Sequence, residues 1–273
     1  MNYRHSFHAG NFADLIKHAA LLEVIEALNT GSKPLRVIDT HAGRGLYDVS
    51  GEDASRSGEA KAGIGQLSQS GQLPEGLTRL SDAVRSLNPA GEIRNYPGSP
   101  HLIAGRLRPG DTYIAYELRP EEHAALAEIL KGRTGVKTFC ADGFDRALTM
   151  PPTPGRTLFV IDPPFERADD YLRIAQTVKS AGRRLSDALF LIWLPIKDLE
   201  TLDSFCRSLE DADVGPVLVL EARMRPLTDP MKMNGCALVF VGLDADVQDE
   251  LKAIAEWVVS ALGDGGEARL WQI

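Results

Sequence analysis

No run of apolar residues in this chain approaches the roughly 18–20 that a membrane-spanning helix needs, so no membrane partner is expected. The N-terminus, Met1-Asn2-Tyr3-Arg4-His5-Ser6, has no apolar core of the kind a secretory signal carries, which points to a cytoplasmic location. Cysteine is scarce. Cys140, Cys206 and Cys236 are widely separated and lie in or near apolar segments, a pattern that fits reduced core thiols rather than a disulfide frame or a zinc site. The six histidines show no H-x-x-x-H pair or other ligand spacing, so no metal is expected. An excess of basic residues is missing too: the net charge is −8 and the pI about 5.3, the reverse of a non-specific nucleic-acid binder. Arg183-Arg184, and Arg223, Arg225 and Lys232, are local basic clusters that soften this objection, although a solvated surface explains each equally well.

What is present is an ordinary globular composition, 44% hydrophobic and 25% charged. At 273 residues there is room for one α/β domain and an insertion. Seven apolar, β-branched runs read as strands: 35–39, 113–117, 136–140, 158–162, 188–194, 217–224 and 236–243. Helical patterns separate most of them, which points to a doubly wound α/β sheet. The last two runs are joined only by an irregular Pro/Met/Asn-containing loop, so an antiparallel hairpin at the sheet edge is expected. Seven strands with a final antiparallel pair suit a class I methyltransferase fold. Ahead of the first strand, Asn11 can cap a helix with Asp14 three residues on; Leu15, Ala19, Leu22, Ile25 and Leu28 keep helical spacing and Gly31 ends it. Residues 47–94 break the alternation. They are Gly/Ser-rich, then weakly helical over 76–87, with no credible strand, and read as a helical insertion subdomain serving as a lid or substrate platform. Residues 1–46 and 95–273 form the main domain.

Ligands of open α/β sheets bind outside the carboxyl ends of the strands. The first strand leads into Asp39-Thr40-His41-Ala42-Gly43-Arg44-Gly45, where Gly43 and Gly45 allow a tight turn and close backbone approach. The segment is neither a full G-x-G-x-x-G nor a P-loop. Glu117 ends the second strand and can take both hydroxyls of a ribose, in NAD enzymes as well as others. Asp142-Gly143 follows the third; Asp142 can accept from an adenine amine, though an Asx-turn is an equal explanation. The fourth strand ends in Asp162-Pro163-Pro164-Phe165. There a carboxylate and a proline carbonyl can each accept one hydrogen of an exocyclic amine, the prolines stiffen the frame, and the phenyl ring offers a stacking face. Hydride transfer has no use for such a clamp, whereas methyl transfer to a planar nitrogen does, so S-adenosylmethionine is the expected cofactor.

Tyr3-Arg4-His5-Ser6-Phe7-His8-Ala9-Gly10-Asn11, Asp14, Lys17-His18, Asp39-Thr40-His41-Ala42-Gly43, Tyr96-Pro97-Gly98-Ser99-Pro100, Ala141-Asp142-Gly143-Phe144 and Ile161-Asp162-Pro163-Pro164 together resemble the bacterial 23S rRNA adenine-N6 methyltransferase J family over nearly the whole chain. The resemblance implies S-adenosylmethionine-dependent N6-methylation of one adenine in 23S ribosomal RNA. It carries cofactor contacts onto His18, His41, Ser99, Glu117, Asp142, Gly143 and Asp162, with Gly43 added from the loop above. Asp162 is also the implied catalytic position, within Asp162-Pro163-Pro164-Phe165, and Tyr3 contacts substrate. His5 and Lys17 match further positions facing substrate or cofactor. Phe165 departs from the family, which more often has Tyr there; stacking survives the change and a hydroxyl hydrogen bond is lost. Taken without the resemblance, His18 reads as a helix surface residue, and Ser99-Pro100 as N-cap and first helical residue. A monomer acting on 23S rRNA is expected. A guanine-N2 rRNA methyltransferase and a non-catalytic, S-adenosylmethionine-sensing RNA-binding protein are the alternatives.

Overall fold

The computed structural model describes residues 8–51, 58–229 and 231–273. Helix α1 (Phe12–Asn29) leads into β1 (Leu35–Asp39). Next come β2 (Leu46–Asp48), three helices, α2 (Glu59–Ala62), α3 (Ile64–Leu67) and α4 (Glu75–Leu87), and β3 (Asn95–Pro97). The chain continues through α5 (Ser99–Ala104), β4 (Thr112–Glu117), α6 (Pro120–Ile129), β5 (Val136–Cys140), α7 (Gly143–Ala147) and β6 (Arg156–Ile161). It ends with α8 (Asp170–Arg184), β7 (Ala188–Ile196), α9 (Leu199–Asp211), β8 (Val217–Arg223), β9 (Gly235–Val241), a 3-10 turn (Ala245–Val247), α10 (Gln248–Leu262) and β10 (Glu267–Gln272).

The main sheet has strand order β10-β8-β9-β7-β6-β1-β4-β5. Strands β5, β4, β1, β6 and β7 are parallel, while β9, β8 and β10 are added antiparallel. This is the class I methyltransferase arrangement, with eight strands instead of the seven expected. The extra strand is β10, whose Glu-Ala-Arg-Leu-Trp-Gln sequence carries no continuous apolar run because it forms a half-exposed edge. Its presence also corrects the expected position of the hairpin: β9 lies between β7 and β8 inside the sheet, and the edge belongs to β10. A second, two-stranded sheet pairs β2 with β3, Tyr47 opposite Tyr96. Strands of three residues are too short to leave a period-2 signal, which is why neither was among the strands expected.

The period-2 rule divides the sheet between two cores. Leu35, Val37, Leu158, Val160, Leu189 and Leu191 point to the face covered by α1 and α10. Ile38, Phe159, Ile161, Phe190 and Ile192 point to the face covered by α7, α8 and α9. Buried on both faces, these strands read as unbroken apolar runs. Helix α1 is buried on almost every side, including Asp14, Lys17, His18 and Glu23, because the sheet lies beneath it and α4 and α10 flank it. Asn11 caps it as expected, its Oδ1 accepting from the amides of Ala13 and Asp14 at 3.0 and 3.1 Å. Asp14 Oδ2 does not close a capping box; it accepts from the amide of Gly10. Cys206 and Cys236 are buried, whereas Cys140, on the edge strand β5, is exposed and is not the core thiol expected.

Strand order reverses between β1 and β6, since β4 and β5 build outward from one and β7 from the other. A crevice is forced open at the carboxyl ends where crossovers part in opposite directions. Helix α4 seals the far side of α1. Arg79 pairs with Glu23, and the amide of Gly76 donates to Glu250 Oε1 at 2.9 Å. A Cβ on Gly76 would meet Ile254 Cδ1 at 2.6 Å, Glu23 Cγ at 2.9 Å and the carbonyl of Ala19 at 3.0 Å. Helix propensity favours Gly76→Ala by up to about 1 kcal/mol, while overpacking at a helix contact costs about 1–3 kcal/mol. Urea unfolding of Gly76→Ala is therefore expected to show a net loss of stability; a gain would mean that the three-helix contact is looser than described.

Candidate active site

A cleft of about 1660 Å³ lies over the carboxyl ends of β1, β4, β5 and β6. Carboxylates line it or lie buried beneath it, each held by a different device. Asp39 ends β1 and is almost completely buried. The hydroxyls of Ser99 and Tyr113 donate to its Oδ2 at 2.9 and 3.1 Å, and the amide of His41 to its Oδ1 at 3.3 Å. Burial pushes its carboxyl up to about 6 against these three donors. Ser99 is thus turned toward Asp39. It is the first residue of α5 and Gly98 is the N-cap, which corrects the expectation that Ser99 caps that helix.

Past β1 the chain turns through Gly43 and Gly45, at φ of +63° and +82°, left-handed values that favour glycine. The turn aims the amide of Gly43 at Glu117 Oε2, 2.9 Å away, while Glu117 Oε1 accepts from the amide of Arg119 at 2.8 Å. A carboxylate has about four acceptor positions, so Glu117 retains capacity for two vicinal hydroxyls. His41 follows the same strand. Thr40 Oγ1 lies 3.1 Å from the carbonyl of Val160 and 2.8 Å from His41 Nδ1, which fixes the orientation of the imidazole. Burial pulls the His41 imidazole down to about 4 despite the nearby Asp162 and Asp142, and its ring meets Phe144 edge-on at 4.6 Å.

Asp142 caps α7 through its Oδ1. Arg173 of α8 donates to both of its oxygens at 2.9 Å and lies over the Phe144 ring at 4.6 Å. Burial alone would raise the Asp142 carboxyl, but Arg173 outweighs it and holds the group below its ordinary value. Oδ2, bonded only to Arg173 among the described residues, is the oxygen with room for an amine. Gly143 is packed so closely on the backbone of Thr40 that a Cβ would collide with it.

At the end of β6, Lys17 of α1 donates to Asp162 Oδ2 at 2.6 Å and pairs with Asp14 Oδ1 at 2.9 Å. Burial would lower the Lys17 ammonium, yet the two carboxylates hold it well above its ordinary value. Asp162 Oδ1 and the carbonyl of Pro163 accept no hydrogen bond among the described residues. Phe165 takes a left-handed φ of +51°, a strain of about 1–3 kcal/mol that tends to gather at functional sites. Tyr171 and Trp193 support its ring at 5.0 and 5.8 Å, and Pro164 is exposed on the cleft. His18 is a buried residue, its Nδ1 2.8 Å from the Tyr96 hydroxyl. Tyr3 and His5 lie outside the described residues.

A family model described as "Ribosomal RNA large subunit methyltransferase D, RlmJ" matches residues 32–273. This chain belongs to that family. The ribosomal RNA large subunit methyltransferase J of Haemophilus influenzae is 32% identical to it, over 96% of this chain and 94% of that protein. The Escherichia coli protein of the same name is 30% identical, over 97% and 95%. A crystal structure of a Legionella pneumophila protein superposes with a TM-score of 0.88 at 28% identity, covering 97% of this chain and 98% of that one.

For this member of the family, the sequence named the carboxylates together with Lys17, Ser99 and Gly43, but not that these groups bond one another. Asp39 lay in a quoted motif without being assigned a role. Asp14 was a helix cap and part of a family motif with no role at the site, and Tyr113 only a strand residue. Arg173 sits on an amphipathic helix with no local signal at all. One consequence concerns pH. The folded value of Asp39, about 6, exceeds the roughly 3.9 of an unfolded Asp. Its contribution to stability is present at low pH and is lost as pH rises from about 4 to about 6. The folded value of His41, about 4, lies below the roughly 6.5 of an unfolded His, so its contribution is lost as pH falls through the same window. The two slopes oppose each other. In urea unfolding between about pH 4 and 7, Asp39→Asn should lose stability with acid more steeply than the parent, and His41→Gln less steeply. Parallel curves for all three proteins would remove both assignments.

Proposed function

We propose that this protein transfers a methyl group from S-adenosylmethionine to N6 of an adenine in 23S ribosomal RNA. The observation that carries the reading is the pair of acceptors at the end of β6, Asp162 Oδ1 and the Pro163 carbonyl, set beside the strained Phe165 in a cleft whose other strand ends carry Glu117 and Asp142. His18, His41, Gly43, Ser99, Glu117, Asp142, Gly143 and Asp162 hold the cofactor. The capacity left on Glu117 suits ribose hydroxyls, and Asp142 Oδ2 suits an adenine amine. When bound, S-adenosylmethionine supplies an electrophilic methyl group.

The chain's own residues do the rest. The target adenine must leave its stack to reach the floor of the cleft, and Phe165, backed by Tyr171 and Trp193, gives its ring a face. Asp162 Oδ1 and the Pro163 carbonyl each accept one hydrogen of the amine, which orients the nitrogen for in-line attack. As positive charge grows on that nitrogen, Asp14 and Asp162 outnumber Lys17 by one charge, so the site is net negative and favours it. Asp162 is also placed to take the departing proton. Lys17 sets the Asp162 carboxylate in position, and Tyr3 and His5 complete the substrate side. Residues 47–94 act as a helical insertion subdomain on a domain formed by 1–46 and 95–273. Glu59 of α2 bonds His8 and Asn11 at 3.0 and 2.9 Å, which joins the insertion to the start of α1. The protein works as a monomer in the cytoplasm. Among the described residues no helix is long and apolar enough to cross a membrane.

Incubating the protein with labelled S-adenosylmethionine and unmethylated 23S rRNA, then digesting the RNA to nucleosides, should place the label in N6-methyladenosine. Label in a guanine nucleoside would keep the reaction class and overturn the base. Asp162→Asn keeps an oxygen for Lys17 to donate to but removes one of the two counter-charges of Lys17, so the variant should be less stable, and in its folded fraction turnover should fall about 100-fold or more. Undiminished turnover in the folded variant would end the catalytic assignment of Asp162.

A further inference from the structure

Among the described residues, eight Lys and Arg side chains border the cleft, and six of them have a carboxylate within ion-pair distance. The two that do not are Lys197 and Arg225, and both are exposed. They are neighbours. Ile196 at the end of β7 and Arg223 at the end of β8 flank the same residue, Gly235 of β9. Two strand spacings of roughly 4.8 Å place the backbones about 10 Å apart. Both positions are pinned. Asn234, fully buried, donates from its side chain to the carbonyl of Lys197 at 3.1 Å and to that of Asp229 at 2.8 Å. Its own backbone carbonyl accepts from the amide of Met224 at 2.8 Å. On the same cleft Met231 stands 88% exposed, a polarizable surface of the kind that packs on flat rings.

We propose that Lys197 and Arg225 grip the backbone of the single-stranded RNA segment flanking the target base. The proposal rests on the reading of the protein as an RNA methyltransferase. Sheet order supplies the direction: β6 with Asp162 lies between the strands carrying Glu117, Asp142 and Asp39 on one side and β7, β9 and β8 on the other. A ligand on the far side of Asp162 from the cofactor residues is therefore the substrate. Charge supplies the chemistry. In a chain of net charge −8, a free cation has carboxylates to pair with almost everywhere, and these two are left exposed where a polyanion must arrive. The counter-charges near them include Asp229, which pairs with Lys232 at 3.5 Å, Asp264 on the same rim, and Asp198, next to Lys197 in the chain and engaged as the N-cap of α9.

The test is the salt dependence of RNA binding and of KM for RNA in Lys197→Gln, Arg225→Gln and the double variant. Each lost phosphate contact on single-stranded RNA lowers the slope of log affinity against log salt by about 0.7, so the double variant should lose about 1.4. Between about 50 and about 200 mM salt, its affinity would fall about sevenfold less than that of the parent. Its kcat at saturating RNA and its affinity for S-adenosylmethionine should stay within about twofold of the parent. Lys197→Arg and Arg225→Lys should keep the parent slope. A parent slope in the double variant, or equal losses in the charge-conserving variants, overturns this surface while leaving the enzyme assignment standing. A parent protein that methylates no RNA and binds it without salt dependence overturns both.

Discussion

The buried cation between two carboxylates, Asp14–Lys17–Asp162, is the interaction on which the site depends. Lys17 is enclosed by protein, where an unpaired ammonium would shed its proton before it stayed charged. Asp14 and Asp162 keep it charged, at 2.9 and 2.6 Å. Removing one partner from such an arrangement generally costs about 3–5 kcal/mol, so the geometry tolerates little change. Through Lys17 the start of α1 is fastened to the end of β6, and through Asn11 and Glu59 it is fastened to α2. The position of the Asp162 carboxylate is thus set by a helix far away in the chain.

A second constraint follows from burial. Carboxylates at the ends of β1, β4 and β5 crowd together, and each needs donors if it is to stay there. Asp39 receives two hydroxyls and an amide, Glu117 two amides, and Asp142 an arginine and the amides of a helix start. The glycine turn after β1 exists to bring one of those amides within reach. Donor supply differs from site to site, and the carboxyls differ accordingly: Asp39 rises toward neutrality while Asp142 is held ionised. The same residue type therefore has a different charge behaviour at two strand ends.

An acidic protein that acts on RNA has to confine its positive charge. Most cations bordering the cleft are spent on carboxylates that orient other groups. Arg173 fixes Asp142, and Arg44 is bonded twice to Glu122, at 2.9 and 3.2 Å. Of the basic clusters seen in the sequence, Arg223 turned inward to Glu221 and Glu267, and Arg184 bonds the carbonyl of Ala147. Among the described residues Arg183 and Arg225 both remain outward without a carboxylate partner, and of the two Arg225 borders the cleft, so counting charges along the chain could not have separated it from its neighbours.

The sequence by itself determined which strands are buried and what stands at their ends. Apolar alternation, proline stiffness and glycine turns act within a few residues, so the parallel strands, the cap of α1 and the row of Glu117, Asp142 and Asp162 were legible there. Family motifs added His18, His41 and Ser99, whose own surroundings carried no distinguishing signal. Only the tertiary structure decided how these groups are held. Lys17 and Asp162 are 145 positions apart and Arg173 and Asp142 are 31 apart, and no local rule specifies which helix face meets which strand end. The edge strand β10 was hidden for the same reason. A polar, half-exposed segment becomes a strand only when β8 is present to supply its hydrogen bonds.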